Sequence, residues 1–496
     1  MTISASTGAQ LTRGQFMAAD RFLDFLHSDA MRFAISGTAG TGKTFLMGHL
    51  ASRVMDQYRT SCKLLEAKPE FTGCVFTATT NKAAEVLGEA LGHDDVRTIH
   101  SFLNLKVKEN HQTGKTTLDR NRNWAPIRAK IIVFIDECSM VDQALYAEIL
   151  AALPGCKLVF VGDHAQMAPV GEQQSAIYEG LDETTLVTLT EPVRNAGQPA
   201  LVSLCAQLRD TVETGIFHPI RASEAVHYLD DEDMADGLNY FFKDLDPSCR
   251  VLCYTNSRVQ TYNDYIREKV RGRPPEPVAG DVMVLAQAYA RGKLNLSVET
   301  ELEVISVGSI EDVSILEQEI ELEDLDLLHR ASNYKGRQLS AGPTIRGRDI
   351  TVRRVGSHHG QQITLTLAEN REDVTQKLKE FSSRKAWSEY FALKGAFADL
   401  RHKAACTVYK AQGSTYDAVF VDIGNIGTSY DAAQVARMLF VAISRARSAV
   451  YLYGTLPPRY HDSKGKPLWT AAPLGLPSST PSLPAPASDS ISLSPA

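Results

Sequence analysis

Apolar runs of strand length alternate with helix-like stretches over the first third of the chain. The runs are nearly continuous and read "MRFAI", "GCVFTATT", "KIIVFIDE" and "KLVFVGD". The stretches that follow the first three runs suit helices and read "FLMGHLASRVMDQY", "NKAAEVLGEAL" and "QALYAEILAAL". Apolar strands that alternate with helices are typical of a parallel sheet covered on both faces. The pattern therefore predicts an α/β fold in which ligands bind where the strands end.

A glycine-rich loop separates the first apolar run from its helix. Its glycines allow backbone amides to approach phosphates, and the helix N-terminus adds partial positive charge. Lys43 can reach the outer phosphates of a nucleotide, and the Thr44 hydroxyl can bind Mg2+. The loop predicts a site for ATP or GTP, but kinases, transporters, recombinases and helicases all use such a loop. The residues assigned to it are Gly37, Thr38, Ala39, Gly40, Thr41, Gly42, Lys43 and Thr44.

Polar residues at the next strand ends can complete a hydrolytic site. Asp136 and Glu137 directly follow "IIVFI". We expect Asp136 to hold Mg2+ and Glu137 to orient or deprotonate the attacking water. Gln166 follows the run "KLVFVGD", and an amide at that position can detect the γ-phosphate and its water. The three strand ends together favour nucleotide hydrolysis over nucleotide binding alone.

Two distant arginines are candidates for stabilising the charge of the transferring phosphoryl group. Arg194 lies in "LTEPVRNAG" and Arg445 lies in "LFVAISRARSAVYLYG". An arginine finger accelerates such reactions by about 10^3-fold to 10^5-fold, although each residue taken alone also suits an ordinary surface position. If both reach one phosphate, a second lobe must close over the first. Hydrolysis would then open and close a cleft, as a motor requires.

Composition and charge set limits on the class of protein. The chain of 496 residues is 44% hydrophobic and 22% charged, which is typical of globular domains. No apolar run approaches the roughly 18 residues of a membrane span, and the first residues do not resemble a signal peptide. The eight cysteines form no CxxC or Cys/His cluster, which argues against structural zinc. We therefore expect a cytoplasmic chain with reduced thiols and no membrane partner.

The negative charge is concentrated in one segment. Residues 311–330 hold eight acidic residues and one arginine, which equals the whole net charge of −7. The remainder is neutral overall, so local basic grooves for nucleic acid remain possible. We interpret the segment as a solvated acidic face, with a nucleic-acid mimic or a docking patch as alternatives. Residues 471–496 are rich in Pro, Ser and Ala and are predicted to be a disordered tail, either passive or a docking peptide.

Ten short motifs follow one another along the chain. They read "LTRGQ", "GTAGTGKT", "TATTNKAAEVL", "RTIHSFL", "VFIDECSM", "VGDHAQMAPV", "LTEPVRN", "YTNSRVQTYNDYIR", "CTVYKAQGSTYDAVFVD" and "LFVAISRARSAVYLYG". In this order they resemble the motifs of superfamily 1B DNA helicases, and most closely those of the phage Dda-like and RecD-like group. The resemblance covers residues 10–458, and it is loose over 281–400.

The resemblance implies an α/β architecture of two RecA-like P-loop motor domains with ATP between them. It also implies a β-hairpin insertion that splits the duplex and an SH3-like β-barrel insertion. The implied ranges are 1–103 and 125–190 for the first motor domain, 104–124 for the hairpin, 191–280 and 401–460 for the second motor domain, and 281–400 for the barrel.

The same resemblance implies roles for individual residues. Gln15 would read adenine and favour ATP over GTP, while Gln412 and Gly413 would couple the nucleotide state to DNA. Lys43, Glu137, Gln166, Arg194 and Arg445 would be catalytic, and Thr44 and Asp136 would hold Mg2+. The positions that would contact DNA are Thr80, Lys82, Thr98, His100, His111, Thr407 and Lys410.

Three features depart from the family pattern. The hairpin is basic, and Gly114 can form its turn, but its tip carries only His111 where a wedge often presents an aromatic ring. Thr79 replaces the usual proline of the first DNA motif, and Tyr409 replaces the usual histidine before "KAQG". Tyrosine keeps a hydrogen-bonding tip and adds stacking area. None of these changes removes a phosphate ligand, but they leave active wedging open.

The expected function is that of an ATP-dependent 5′–3′ DNA helicase and single-stranded DNA translocase. It would require ATP and Mg2+, act on single-stranded and forked duplex DNA, and be a monomer in a bacterial or phage-infected cytoplasm. Replication, recombination or repair would be its setting, with single-strand binding or replisome proteins open as partners. The alternative is a DNA-stimulated ATPase that displaces proteins from single strands and unwinds weakly. A nucleotide-gated scaffold and a small-molecule kinase are disfavoured by the intact hydrolytic motifs and by the second lobe.

Overall fold

The computed structural model describes residues 10–460. Its gaps are 39, 94, 110–115, 121–125, 168, 170–174, 183, 192, 194–197, 244–247, 292–293, 297, 315–343 and 356–360. The predicted disordered tail, most of the acidic segment, and Ala39, His111 and Arg194 therefore lie outside the described residues.

The first lobe, residues 10–189, contains a parallel sheet and an antiparallel hairpin. Its strands are β1 (Arg32–Gly37), β2 (Gly73–Ala78), β3 (Arg97–Thr98), β4 (Leu105–Glu109), β5 (Thr116–Arg120), β6 (Ile131–Asp136), β7 (Lys157–Gly162) and β8 (Leu186–Leu189). Six of them form one sheet in the order β3-β2-β6-β7-β1-β8, and every described pairing in it is parallel. The predicted α/β fold is therefore confirmed.

Helices cover both faces of this sheet. The helices are Arg13–His27, Lys43–His49, Met55–Leu64, Asn81–Leu91, Ile99–Phe102 and Gln143–Ala152, and a π-helical segment, Leu50–Val54, joins the second to the third. Alternate residues of β6 serve opposite faces, because Ile132 and Phe134 pack in one apolar cluster while Val133 and Ile135 pack in another. The continuous apolar runs of the sequence thus reflect strands buried on both sides.

A buried lysine fastens the first helix to this sheet. Lys157, at the start of β7, donates from Nζ to the carbonyl oxygens of Phe25, Ser28 and Ala30 at 2.7, 2.9 and 2.6 Å. Its ammonium also lies 4.2 Å from the centre of the Phe25 ring. The buried ammonium thus has three acceptors at the end of the helix and in the residues that follow it.

Strands β4 and β5 form a hairpin within residues 104–124. Strands β4 and β5 pair antiparallel from Leu105 opposite Arg120 to Glu109 opposite Thr116. Its turn, with Gly114 and His111, lies outside the described residues.

The remainder of the chain forms a second lobe and an insertion. Its strands are β9 (Val226–Leu229), β10 (Cys249–Cys253), β11 (Val282–Leu285), β12 (Tyr289–Arg291), β13 (Leu294–Leu296), β14 (Glu301–Ser314), β15 (Thr344–Arg354), β16 (Gln362–Ala368), β17 (Leu400–His402), β18 (Ala405–Thr407), β19 (Tyr416–Asp422) and β20 (Ala446–Tyr453). The second-lobe sheet is parallel, in the order β18-β10-β19-β20-β9. The helices of this lobe are Pro199–Thr214, Asp231–Phe241, Asn256–Tyr265, Val408–Ala411, Ile423–Ile426 and Ala432–Ser444, and the π-helical segment Ile266–Val270 extends the third.

The insertion is built on an antiparallel sheet. Its described strands pair in the order β16-β15-β14-β11-β17, and β12 pairs with β13 as a separate hairpin. Two of its strands are long, since β14 and β15 have 14 and 11 residues. Strand β14 also takes in Glu311 and Asp312, the first residues of the acidic segment. The sheet ends at His402, whereas the predicted insertion ends at residue 400.

Two helices, Arg371–Ser383 and Trp387–Ala396, pack on this sheet. Tyr390 is partly buried there against a cluster that contains Ile345, Phe381 and Leu393. The aromatic residues near 390 therefore contribute to packing within the insertion. Among the described residues, no helix combines the length and the apolar character that a membrane crossing needs.

Candidate nucleotide site and nucleic-acid cleft

The glycine-rich loop connects β1 to the helix Lys43–His49, as predicted. Lys43 Nζ donates to the carbonyl oxygens of Gly37 and Thr38 at 2.7 and 3.1 Å, so the ammonium lies within the concave side of the loop. A Cβ atom at Gly37 would lie 2.8 Å from Thr41 Oγ1 and 2.9 Å from Leu189 Cβ. The close approach of these elements therefore requires glycine at this position.

Gln15 lies against the same loop. It is the third residue of the helix Arg13–His27, where a capping box with Thr12 fixes the start of the helix. Its side-chain amide donates to the Thr41 carbonyl oxygen at 2.9 Å and is 2% exposed. Gly42 has φ 76°, and a Cβ there would lie 2.5 Å from Gln15 Nε2. The predicted adenine-reading residue thus contacts the predicted phosphate loop.

Asp136 and Glu137 end β6 beside Lys43. Burial, with a further contribution from the charge of Glu137, raises the pKa of Asp136 to about 7, and the Lys43 ammonium acts in the opposite direction. Glu137 adopts a left-handed backbone with φ 52°, and its carbonyl oxygen accepts from Thr79 Oγ1 at 3.2 Å. The backbone turns sharply at Glu137 and separates the two carboxylates, which have different predicted tasks.

Two arginines of the second lobe form hydrogen bonds with the turn after β7. Arg437 Nη1 donates to the carbonyl oxygens of His164 and Gln166 at 2.6 and 2.7 Å. Arg209 Nη1 donates to Asp163 Oδ1 at 2.8 Å, and Asp163 is fully buried. A buried carboxylate of this kind needs a cationic partner, and the second lobe supplies it.

His164 extends this contact. Its Nδ1 lies 2.8 Å from Ser36 Oγ, at the end of β1, and its Nε2 lies 3.3 Å from a carboxylate oxygen of Glu213. Burial lowers the pKa of His164, and the nearby Arg209 charge acts in the same direction. The turn Asp163–Gln166 thereby links the end of β1 to the helix Pro199–Thr214.

Three residues of the second lobe lie near the predicted hydrolytic residues. Gln412 Nε2 donates to Glu137 Oε2 at 3.4 Å and to Ser139 Oγ at 3.2 Å. Gly413 lies next to the same carboxylate, since a Cβ on it would be 3.9 Å from Glu137 Oε1. Arg445 is 3% exposed; burial lowers its pKa, while the negative charges of Glu137 and Asp163 act to raise it. The structure thus brings Lys43, Asp136, Glu137, Gln412 and Arg445 together across the two lobes.

Several buried acceptors in this region have no donor among the described residues. They are Gln166 Oε1, Gln412 Oε1 and Asp163 Oδ2. An acceptor removed from water without a partner costs about 1–3 kcal/mol. Such atoms fit a site whose remaining hydrogen bonds are made by a ligand or its bound water.

Arg209 and Arg437 were missed by the sequence analysis. Arg437 precedes Arg445 by about two turns on the helix Ala432–Ser444, so helical spacing was an available signal for it. Arg209 lies on an ordinary amphipathic helix, and the strand end that marks Asp163 as a polar position does not indicate its partner.

The predicted DNA-contacting threonines share one local role. Each is the N-cap of a helix, with its hydroxyl accepting a backbone N–H: Thr80 from Ala83 at 3.2 Å, Thr98 from Ser101 at 3.1 Å and Thr407 from Lys410 at 3.4 Å. Helix N-termini carry partial positive charge and available N–H groups. These short helix starts therefore suit contacts to a phosphate backbone.

Two adjoining clefts bring most of these positions together. Cleft A, of about 860 Å3, is lined by Thr80, Lys82, Thr407 and Lys410, and it reaches Glu137 and Gln412. Cleft B, of about 540 Å3, is lined by Lys82 and Thr98 together with Arg97 and Arg354. His100 is not among the lining residues of either cleft, and burial lowers its pKa. Because Glu137 and Gln412 line cleft A, the cleft joins the hydrolytic residues to the predicted nucleic-acid path.

Comparisons with known proteins agree with this geometry. A family described as an AAA domain matches residues 10–233, and a UvrD-like helicase C-terminal domain matches residues 402–453. The chain is 25% identical over 471 residues to the ATP-dependent DNA helicase dda of Enterobacteria phage T4, which covers 89% of this chain and 98% of that protein. It is 27% identical to the RecBCD enzyme subunit RecD of Mycobacterium tuberculosis, over 41% of this chain and 36% of RecD.

Among solved structures, the Pif1 helicase from Bacteroides in complex with ADP-AlF3 and ssDNA is 15% identical, with a TM-score of 0.42. The match covers 90% of this chain and 92% of that one. The ordered motifs, the two lobes and the sequence matches lead to one conclusion: the homologues of this chain include the Dda helicase and RecD, which are superfamily 1B helicases.

Proposed function

We propose that this chain is an ATP-dependent DNA helicase that moves along single-stranded DNA and couples ATP hydrolysis to duplex unwinding. The observation that carries the proposal is the contact of Gln412 with Glu137 at the base of cleft A. Through this contact, one residue of the second lobe touches the proposed catalytic carboxylate and also lines the proposed DNA path. A change at the nucleotide therefore has a short physical route to the DNA.

The hydrolytic roles follow from the positions of the side chains. Lys43 would exchange its two loop carbonyls for phosphate oxygens, and Gln15 would hold the adenine end. Glu137 would orient or deprotonate the attacking water, with Gln166 Oε1 as a further acceptor for that water. Arg445 would stabilise the charge that develops on the phosphoryl group, together with Arg194.

Magnesium fits the donors that the chain offers. Thr44 and Asp136 supply a hydroxyl and a carboxylate, the hard oxygen donors that Mg2+ prefers. When bound, the ion would neutralise phosphate charge. A nearby cation would also favour the charged form of Asp136, which burial disfavours.

Movement along DNA would come from opening and closing of the two lobes. Arg209 and Arg437 bridge the lobes at the turn after β7, and Gln412 bridges them at Glu137. Thr80, Lys82 and Thr98 would hold the backbone on the first lobe, and Thr407 and Lys410 would hold it on the second. Cycles in which the first and the second lobe alternately bind the backbone more tightly would advance the strand. Because the contacts are to the backbone, movement would show little preference for sequence.

The decisive experiment compares duplexes that carry either a 5′ or a 3′ oligo-dT tail. We propose 5′–3′ movement, so ATP and Mg2+ should support unwinding of the 5′-tailed duplex and much slower unwinding of the 3′-tailed one. Lys43→Ala protein and a non-hydrolysable ATP analogue are the controls. Unwinding of the 3′-tailed duplex alone would reverse the assigned direction, and the absence of any DNA-stimulated hydrolysis would refute the function.

A second function is a translocase that displaces bound proteins but unwinds weakly. The only ring at the predicted hairpin tip is the His111 imidazole, which is a poor wedge. Displacement of streptavidin from a 5′-tailed, 3′-biotinylated single strand, measured beside fork unwinding, separates the two functions. Rapid displacement with slow unwinding would favour the second.

The setting of this activity is also a proposal. We propose that the chain acts as a monomer on single-stranded and forked DNA in the bacterial or phage-infected cytoplasm, during replication, recombination or repair. Single-strand binding or replisome proteins would be its partners. Sedimentation with and without dT oligomers tests the monomer state.

A further inference from the structure

A turn of the insertion, Val298–Glu301, stands where clefts A and B meet. Val298, Glu299 and Glu301 line both clefts, and Thr300 lines cleft B. The insertion thus places two carboxylates on a path whose other lining residues include Lys82, Arg97 and Lys410. Carboxylates are unexpected on a surface that must attract phosphates, because they repel the same ligand.

These carboxylates neutralise lysines of the second lobe. Glu299 Oε1 lies 2.9 Å from Lys410 Nζ, and Glu301 Oε2 lies 3.3 Å from Lys403 Nζ. The side chains of Lys410 and Glu299 are 23% and 26% exposed, so solvent screens this pair less than a surface pair. Lys410 also donates to the Ala286 carbonyl oxygen at 3.1 Å, which directs its ammonium toward the insertion.

The backbone of the turn is held in place. Glu299 N donates to Leu285 O at 2.8 Å, Leu285 N donates to Thr300 O at 3.1 Å, and Val355 N donates to Glu301 O at 3.0 Å. Glu299 also has φ 64°, a left-handed conformation that non-glycine residues rarely adopt. Strain of this kind tends to be retained at functional positions. With the backbone fixed, the part that can move readily is the Glu299 carboxylate.

We propose that Glu299 is an internal competitor for the DNA phosphate that binds Lys410. The proposal rests on the proposed function, because Lys410 matters here as a DNA contact. In the DNA-free chain, the Glu299 carboxylate is paired with the Lys410 ammonium and lies at the junction of the two clefts. An entering phosphate takes over the ammonium, and the Glu299 side chain rotates into solvent. The Glu299–Lys410 pair therefore weakens the binding of DNA. It favours ligands whose phosphate backbone makes several contacts at once over those that contact Lys410 alone.

The test measures binding of fluorescein-labelled dT oligomers by anisotropy, with the full chain and without nucleotide, over a series of salt concentrations. We expect Glu299→Gln to bind about 3-fold to 10-fold more tightly at low salt, with a salt dependence of log K that is steeper by up to about one. The matched control is Glu303→Gln on the adjoining strand β14, where the carboxylate pairs with Arg353 at 2.6 Å and lines neither cleft. We expect this control to bind as the wild type does.

A Lys410→Gln background sharpens the test. There, the Glu299→Gln substitution should lose most of its effect, because the group for which the two anions compete is gone. Equal tightening in the two glutamate variants would indicate a general charge effect and overturn the proposal. Unchanged binding of Glu299→Gln beside a wild type that binds dT would overturn the competition alone. A wild type that binds no dT would overturn the proposed function as well.

Discussion

The two parallel sheets have similar architecture but very different carboxyl edges. In the first lobe, the strand ends carry the glycine-rich loop, Asp136, Glu137 and Gln166, and a buried acceptor, Gln166 Oε1, has no donor among the described residues. In the second lobe, the ends of β19 and β10 are joined into a closed network. Asp422 accepts from Arg258 Nε at 2.6 Å, from Tyr262 OH at 2.9 Å and from the Asn425 backbone N–H at 2.8 Å.

Asn425 extends the closed network, since its Oδ1 accepts from the backbone N–H groups of Tyr254 and Thr255 at 2.8 and 3.0 Å. The difference shows how one architecture can serve two purposes. An edge whose polar groups satisfy one another stabilises its lobe, whereas an edge with unsatisfied groups is prepared for a ligand. The second lobe contributes to the nucleotide site from other places, through Gln412, Arg437 and Arg445.

Among the substitutions that test this contrast, Lys43→Ala should have the largest effect. The substitution removes the ammonium that the first-lobe edge offers to phosphates, so we expect ATP hydrolysis to fall by about 10^4-fold or more. Single-strand binding without nucleotide should stay close to wild type. The measurement is DNA-stimulated phosphate release beside anisotropy with dT oligomers, and normal turnover would refute the assignment of the loop.

Arg445→Ala tests whether the second lobe completes the site. We expect turnover to fall by about 10^3-fold, because a stabilising charge leaves the transition state, while binding of a fluorescent ATP analogue changes little. Single-turnover hydrolysis and nucleotide titration measure the two quantities. The control is Arg59→Ala, whose side chain pairs with Asp56 at the surface and lines neither cleft. An equal loss in both variants would point to damaged folding.

Gln412→Ala tests the contact between the lobes. We expect the stimulation of hydrolysis by DNA to fall by about 10-fold to 100-fold, the range of typical coupling energies, with a smaller effect on basal hydrolysis. ATP turnover with and without poly-dT gives the ratio. If basal and stimulated rates fell equally, Gln412 would act in chemistry and not in coupling.

Asp422→Ala tests the closed edge and should have the smallest effect on catalysis. Loss of the carboxylate leaves Arg258, Tyr262 and the Asn425 N–H without their acceptor, so we expect a loss of about 2–3 kcal/mol in stability. Hydrolysis at 20 °C should stay near wild type. Thermal unfolding and turnover on the same preparation measure both. A folded variant that lacks activity would show that this edge also binds a functional ligand.

The sequence predicted local features well because their signals are local. The alternation of apolar runs and helices, the loop before Lys43 and the strand end at Asp136 each depend on neighbouring residues. The pairs that join the lobes could not be predicted in this way. Arg209 reaches Asp163 and Gln412 reaches Glu137 across long stretches of chain, and neither partner belongs to a periodic pattern.

The contacts of the insertion are even harder to predict from local sequence patterns. Nothing in the stretch around Glu299 indicates that its carboxylate would face a lysine of another lobe. The lengths of β14 and β15 have no local signal either, because they depend on the pairing of the two strands, whose register shifts at two points.

The first helix is fastened at both ends, to the phosphate loop through Gln15 and to β7 through Lys157. The helix therefore sets a fixed distance between the two contacts, since its 15 residues span about 22 Å. Deletion of one residue would shorten the helix by about 1.5 Å and rotate Gln15 by about 100° relative to Lys157. For the adenine contact proposed for Gln15, the length of this helix therefore matters as much as its side chains.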